Sequence, residues 1–150
     1  RALDLAAGNG RHAVELARRG WTTEAWDVSP VGLAHLDEAA SEAGVEVKTR
    51  VIDLTSCRSS LHGAFDLVVL VNYLDRELLP HLASLLAPPG FLIFITYTTD
   101  RSGSRPSDRH CLKPGELAKG LPGLVTELYE ESEGRAGLIA SPTRAITAPR

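Results

Sequence analysis

Three aspartates follow short apolar runs at intervals that bring them to one place. Asp4 closes the opening Ala2-Leu3-Asp4, Asp27 ends the run from Thr22, and Asp53 follows Glu46 to Ile52. Each run has the length of a β-strand, and each acid stands at or just past its C-terminal end. In an open parallel sheet those ends share one edge, and ligands bind there where the strand order reverses. Between the first two acids lies Leu5-Ala6-Ala7-Gly8-Asn9-Gly10. Gly8 and Gly10 let the backbone turn sharply and let a ligand approach the main chain, and the helix beyond points its first amides at the same spot. The three carboxylates therefore converge on one ligand-binding edge.

Positioning these residues requires alternating strands and helices, and the sequence supplies them. Ala2 to Ala6 reads as the first strand, and Arg11 to Arg19 as a helix closed by Gly20. After the second strand, Ser29-Pro30 gives a helix N-cap and a preset first-turn residue. Leu33, Leu36, Ala40 and Ala43 then recur at helical spacing before Gly44. Asp53 to Gly63 carries no helical period, so the crossover to the fourth strand, Phe65 to Val71, is expected to be short or irregular. Asp75 is placed to cap a helix over Glu77 to Leu86, Pro88-Pro89-Gly90 turns the chain, and Phe91 to Tyr97 suits a central strand. Thr98 to Leu112 is aperiodic and long, which points to an ordered functional loop. A short helix from Pro114 to about Gly120 follows. Val125 to Glu131 and Leu138 to Thr147 then form a hairpin around Glu133-Gly134. The expected architecture is α/β: a Rossmann-like, mostly parallel seven-stranded sheet with helices on both faces and a C-terminal antiparallel hairpin.

The 150 residues, 43% hydrophobic and 23% charged, fit one domain spanning the whole chain. A net charge of −3, with Lys and Arg scattered, gives no broad basic field for nucleic acid or an anionic membrane, so a small-molecule partner is expected. The apolar runs are too short to span a bilayer, and the chain opens with no signal-peptide pattern, which leads to a cytoplasmic expectation. Cys57 and Cys111 are then free thiols, and the dispersed histidines suggest no metal site. The chain contains no methionine and opens in mid-strand, so a further N-terminal segment is expected to precede Arg1 beside the site. The composition assigns no oligomeric state.

The run ALDLAAGNG, followed by AWDVSP and VIDL, resembles the motif series of class I S-adenosylmethionine (SAM)-dependent methyltransferases. FDLVVLVNYLDRELLPHLASLLAPPGFLIFITY is similar to the family's fourth motif, helix, Pro-Gly turn and fifth strand. RPSDRHCLKPGEL resembles a segment of the small methyltransferases grouped with tellurite-resistance proteins. The resemblance implies SAM as cofactor and a small-molecule methyl acceptor, with transfer by direct in-line displacement. Carried over, it places Asp4 near the methionine ammonium and the backbone of Ala6, Ala7, Gly8, Asn9 and Gly10 around the methionine moiety. Asp27 would take both ribose hydroxyls, Val28 an adenine face, Asp53 with the backbone of Leu54 the adenine edge. Asn72 and Tyr73 would lie beside the sulfonium. No catalytic residue is fixed; if the acceptor must lose a proton, Tyr73 and His110 are the nearest candidates for the base.

Two departures bear on this reading. The family's loop commonly has glycine where this chain has Ala6, and the His-Arg pair associated with tellurite-resistance enzymes is absent between the last two strands, so tellurite is not assigned as acceptor. Two other functions compete. One is a SAM-binding module without catalysis. The other is an NAD(P)-dependent oxidoreductase, because Gly8-x-Gly10-x-x-Ala13 with a later acid at Asp27 also satisfies the dinucleotide fingerprint. Asp4 before the loop, Asp53 and the closing hairpin favour the methyltransferase.

Overall fold

The computed structural model describes residues 1–104 and 106–143. Seven strands form one sheet: β1 (Ala2–Leu5), β2 (Thr23–Asp27), β3 (Val47–Val51), β4 (Phe65–Val71), β5 (Leu86–Tyr97), β6 (Leu124–Ser132) and β7 (Arg135–Pro142). Their spatial order is β3-β2-β1-β4-β5-β7-β6. The first five pair in parallel, while β7 runs antiparallel to both β5 and β6. Up to β5 this is the arrangement of a dinucleotide-binding sheet; a final strand inserted antiparallel beside β5 departs from that plan. The expected seven-stranded architecture is thus present.

The pleat sorts the apolar residues to two sides. Leu3 and Leu5 lie beside Val68 and Leu70, then Leu92 and Phe94, then Leu138 and Ala140, which puts all of them on one face. Buried Leu54, Leu78, Leu82, Leu85 and Leu117 from the connections complete this larger core. On the other face Ala25 meets α1 (Arg11–Arg18) and α2 (Pro30–Ala43) through Ala13, Val14, Leu33, Leu36 and Ala40. Both helices end as their sequences suggest. Ser29 caps α2 by accepting from the Gly32 amide, Pro30 opens it, and Gly44 closes it in a left-handed conformation.

The crossover after β3 is short, as its lack of period implied: one helical turn, α3 (Leu54–Cys57), then a 3-10 turn Arg58–Ser60. With little helix above it, Trp26 is covered by the edge of Phe65, 5.8 Å between centroids, and by the Arg50 guanidinium at 5.0 Å. The expected helix over Glu77 to Leu86 is instead a 3-10 segment, Leu79–Leu85. Pro80 lacks the N–H that an α-helical turn would use, yet Leu78, Leu82 and Leu85 are all buried against the core. β5 starts at Leu86, opposite Phe65, and the chain through Pro88-Pro89-Gly90 bulges out before Phe91 pairs with Leu67. The helix expected from Pro114 shrinks to a 3-10 turn, Leu117–Lys119. Glu133 and Gly134 both have positive φ, 52° and 77°, the tight turn whose twist matches a two-residue hairpin. Of the strand expected to Thr147, residues 144–147 lie outside the described residues, as does Arg105 of the long loop.

Candidate active site

The order of the sheet reverses between β1 and β4, and a cleft of about 840 Å3 opens at the C-terminal ends of the strands there. Ala6 follows β1 on its wall, Asp27 and Val28 end β2, Asp53 and Leu54 follow β3, and Asn72 and Tyr73 follow β4. These seven sequence-derived candidates are brought together. Pro106, Arg109 and His110 reach the same cleft from the loop after β5. Its volume lies in the usual range for a small-molecule site, roughly 300–1,000 Å3.

Asp27 organises the turn as well as the wall. One carboxylate oxygen accepts from the Gly8 amide and the other from the Ser29 amide, each at 2.8 Å. A carboxylate offers about four acceptor positions, so Asp27 keeps capacity for further donors. Asp53 caps α3, and one of its oxygens accepts from the Thr55 hydroxyl at 2.6 Å and amide at 2.9 Å. Those bonds, the hydroxyl first, hold its carboxyl below the usual range. Val28 is 63% exposed, an apolar side chain standing on the cleft wall beside Asp27.

The turn itself sits beneath this surface. Asp4 is buried and does not line the cleft; its carboxylate accepts from the Ala13 amide in the first turn of α1 at 2.9 Å. Asn9 lies away from the cleft, with His12 and Arg18, in a hollow between α1 and α2. Ala7, Gly8 and Gly10 shape the turn without forming the cleft wall: the Ala7 amide donates to Trp26 O, and the Gly10 amide to Ala7 O. Gly10 has φ 74°, and a Cβ there would lie 2.1 Å from Leu36 Cγ. Ala6 has φ 56°, a left-handed conformation that costs an L-residue about 1–2 kcal/mol, which explains why glycine commonly stands at this position in the motif it resembles.

Burial pushes Asp4 up to about 7, against the Ala13 N–H, which lowers it, and with the Asp27 charge raising it further. An unfolded aspartate titrates near ~4, so the folded state favours the protonated form. Stability from this preference is full below ~4 and lost as pH rises through about 7. Asp4→Asn keeps an oxygen for the Ala13 amide and removes the charge. Thermal unfolding of the unliganded protein is expected to show the variant more stable at pH 8 by roughly 5 °C, with the gap closing near pH 4. A variant less stable than the parent at both pH values would contradict this origin.

Among the described residues, the far side of the cleft carries two ion-paired arginines, Arg58 and Arg76, and Arg109, which meets no carboxylate within ion-pair distance. Arg58 donates to Asp75 at 2.6 Å and meets Glu77 at 2.9 Å, and Arg76 grips both oxygens of Glu116. Asn72, at φ 60°, accepts on its amide oxygen from Arg135, whose guanidinium also stacks on Tyr97 at 4.6 Å. Burial, then Asp75, raises the Tyr73 phenol above its usual range, so it keeps its proton at neutral pH. Arg109 Nε lies 2.9 Å from His110 Nε2 and donates to it, which assigns the ring proton to Nδ1. Sequence reasoning did not single out Arg58, Asp75 as a wall residue, Arg76 or Glu77. Asp75 to Glu77 follow the fourth strand directly, at the edge where the other acids pointed, and that position was the available signal.

The strand order, the cleft at the reversal point and the acids on its wall define a class, and comparison with known proteins names it. Residues 2–90 match the model of the methyltransferase domain family, and the chain belongs to that family. S-adenosylmethionine is the cofactor that this membership implies. The probable S-adenosyl-L-methionine-dependent methyltransferase TehB of Haemophilus influenzae is 25% identical over 83 residues, 53% of this chain and 28% of its own length. In structure, the chain is similar to crystalline TehB from Haemophilus influenzae, with TM-score 0.76 and 17% identity, covering 95% of this chain and 57% of that one. It is equally similar in fold to the [4+2]-cyclase SpnF, with TM-score 0.77 and 19% identity over 95% of this chain and 74% of that one. The chain thus spans a little over half the length of the TehB structure, and at these identities the structural likeness concerns the fold alone.

Proposed function

We propose that this protein transfers the methyl group of SAM to a small-molecule acceptor, without a protein nucleophile. The observation that supports this reading most directly is Asp27, which ties the glycine turn to the cleft wall and retains acceptor capacity beside an exposed Val28. In this reading Asp27 takes the ribose hydroxyls and Val28 packs on the adenine. Asp53, with the Leu54 backbone, meets the adenine edge. Of the turn, Ala6 on the cleft wall borders the methionine moiety, while buried Asp4 and the backbone of Ala7, Gly8 and Gly10 hold the turn in shape from beneath. Asn72 and Tyr73 border the reacting centre.

When bound, SAM supplies a methyl group on a sulfonium, which the acceptor's nucleophile takes by direct in-line displacement. The chain's residues bind, orient and exclude water, and proximity of this kind is worth roughly 7–11 kcal/mol. Tyr73, protonated at neutral pH, acts as a hydrogen-bond donor rather than a base. His110 has its Nε2 engaged by Arg109 Nε rather than facing an acceptor. The reading therefore favours acceptors that arrive already nucleophilic. The fingerprint shared with NAD enzymes supports the oxidoreductase less well, since β7 inserted beside β5 departs from the dinucleotide plan. Among the described residues no helix is long and apolar enough to cross a membrane, and Cys57 and Cys111 are free. We assign residues 1–150 to one methyltransferase domain, and the protein to the cytoplasm without nucleic-acid or anionic-membrane partners, on the free cysteines and the scattered basic charge.

Calorimetric titration of the full-length protein with SAM, S-adenosylhomocysteine and NADH tests the cofactor reading. SAM and S-adenosylhomocysteine are expected to bind and NADH to give no heat. NADH binding without SAM binding would overturn it. Release of S-adenosylhomocysteine with an acceptor library separates an enzyme from a silent binding module.

A further inference from the structure

On either side of Arg105, the loop between β5 and β6 is tied down at several points. The Arg101 side chain is only 6% exposed; it pairs with Asp108 at 2.9 Å and donates to the Pro106 carbonyl. Thr99 N donates to Leu112 O and Leu112 N to Tyr97 O, each at 2.9 Å, while buried Cys111 and Leu112 anchor the returning limb. The hairpin turn closes on the same segment: Thr98 N donates to Gly134 O, and a Cβ at Gly134 would lie 2.2 Å from Arg101 Cα. A segment so fixed presents the 3-10 turn Asp108–His110 to the cleft as part of its wall.

The charges on that wall are unequal in their pairing. Arg58 is neutralised by Asp75 and Glu77, and Arg76 by Glu116. Asp108, the acid beside Arg109, is taken by Arg101. Among the described residues no carboxylate lies within ion-pair distance of Arg109, whose Nε donates to His110 Nε2 and whose two terminal nitrogens remain for a ligand. A guanidinium presented this way matches the paired oxygens of a carboxylate or phosphate.

We infer that the acceptor is a small organic anion, whose carboxylate or phosphate-like group is held by Arg109 at the loop side of the cleft. The inference rests on the methyl-transfer reading above and names its substrate class. The anionic group is the handle by which the acceptor is oriented, and the cations nearby that are already paired do not compete for it.

The test uses full-length protein loaded with S-adenosylhomocysteine, titrated with benzoate, with methylphosphonate and with neutral benzamide. At least one anion is expected to bind about tenfold more tightly than benzamide, and which one does so tells a carboxylate handle from a phosphate-like one. Arg109→Ala is expected to abolish that preference and Arg109→Lys to retain part of it, with S-adenosylhomocysteine affinity as the control for folding. Anions that bind no better than benzamide, or a preference that survives Arg109→Ala, would overturn the assignment while leaving the cofactor reading intact. Failure to bind S-adenosylhomocysteine at all would overturn the cofactor reading first, and the acceptor assignment with it.

Discussion

Replacing Asp27 with alanine is expected to lower SAM affinity by roughly 100-fold, measured by calorimetry. Hydrogen bonds to a charged partner contribute about 1.5–3 kcal/mol each, and the proposed pair to the ribose accounts for an effect of this size. The same substitution removes the acceptor of the Gly8 and Ser29 amides, so the unliganded protein should also lose stability. Asp27→Asn separates the two contributions. Its amide can accept from one of those two N–H groups, so it should lie between the parent and the alanine variant in stability while still binding SAM weakly. Unchanged SAM affinity in Asp27→Ala would discard the ribose assignment.

The second large effect is expected at Gly10. An alanine there must hold φ near 74° and place its Cβ 2.1 Å from Leu36 Cγ. Left-handed strain of about 1–2 kcal/mol and overpacking of about 1–3 kcal/mol together predict a loss of roughly 3 kcal/mol, or about 10 °C in Tm. Leu36→Ala in the same chain should recover the steric part, so the double variant is expected to be more stable than the two single losses would sum to. An unchanged Tm in Gly10→Ala would mean that the turn does not pack on α2 as described.

The architecture was legible because local signals and the fold agree. The three acids, the glycine turn, Ser29-Pro30 and Glu133-Gly134 each specify backbone geometry through their own chemistry, and each appears where its spacing places it. The failures have physical causes. Leu78, Leu82 and Leu85 carry a helical apolar stripe, but periodicity does not distinguish a 3-10 turn from an α-helix when Pro80 removes a donor. The strand starting at Leu86 was hidden by prolines that bulge out of register before Phe91. At the site, convergence could be read from strand ends, whereas pairing could not. Which of Arg58, Arg76, Arg101 and Arg109 is neutralised depends on Asp75, Glu77, Asp108 and Glu116, brought near by tertiary packing alone. Asp4 shows the same limit: its position at the strand end was clear from sequence, its burial under the turn was not.

Among the described residues, the outer strand β6 has one row of backbone groups without a neighbour in the sheet, and such a rim is a template on which another chain can add. Here the rim carries Glu127, Glu130 and Glu131, and the irregularity between Thr126 and Leu128 breaks the even spacing that a docking strand would need. Two copies meeting along this margin would set acid against acid. Charge on an outer strand discourages such pairing, and here it flanks the exposed apolar side chains of Val125 and Leu128.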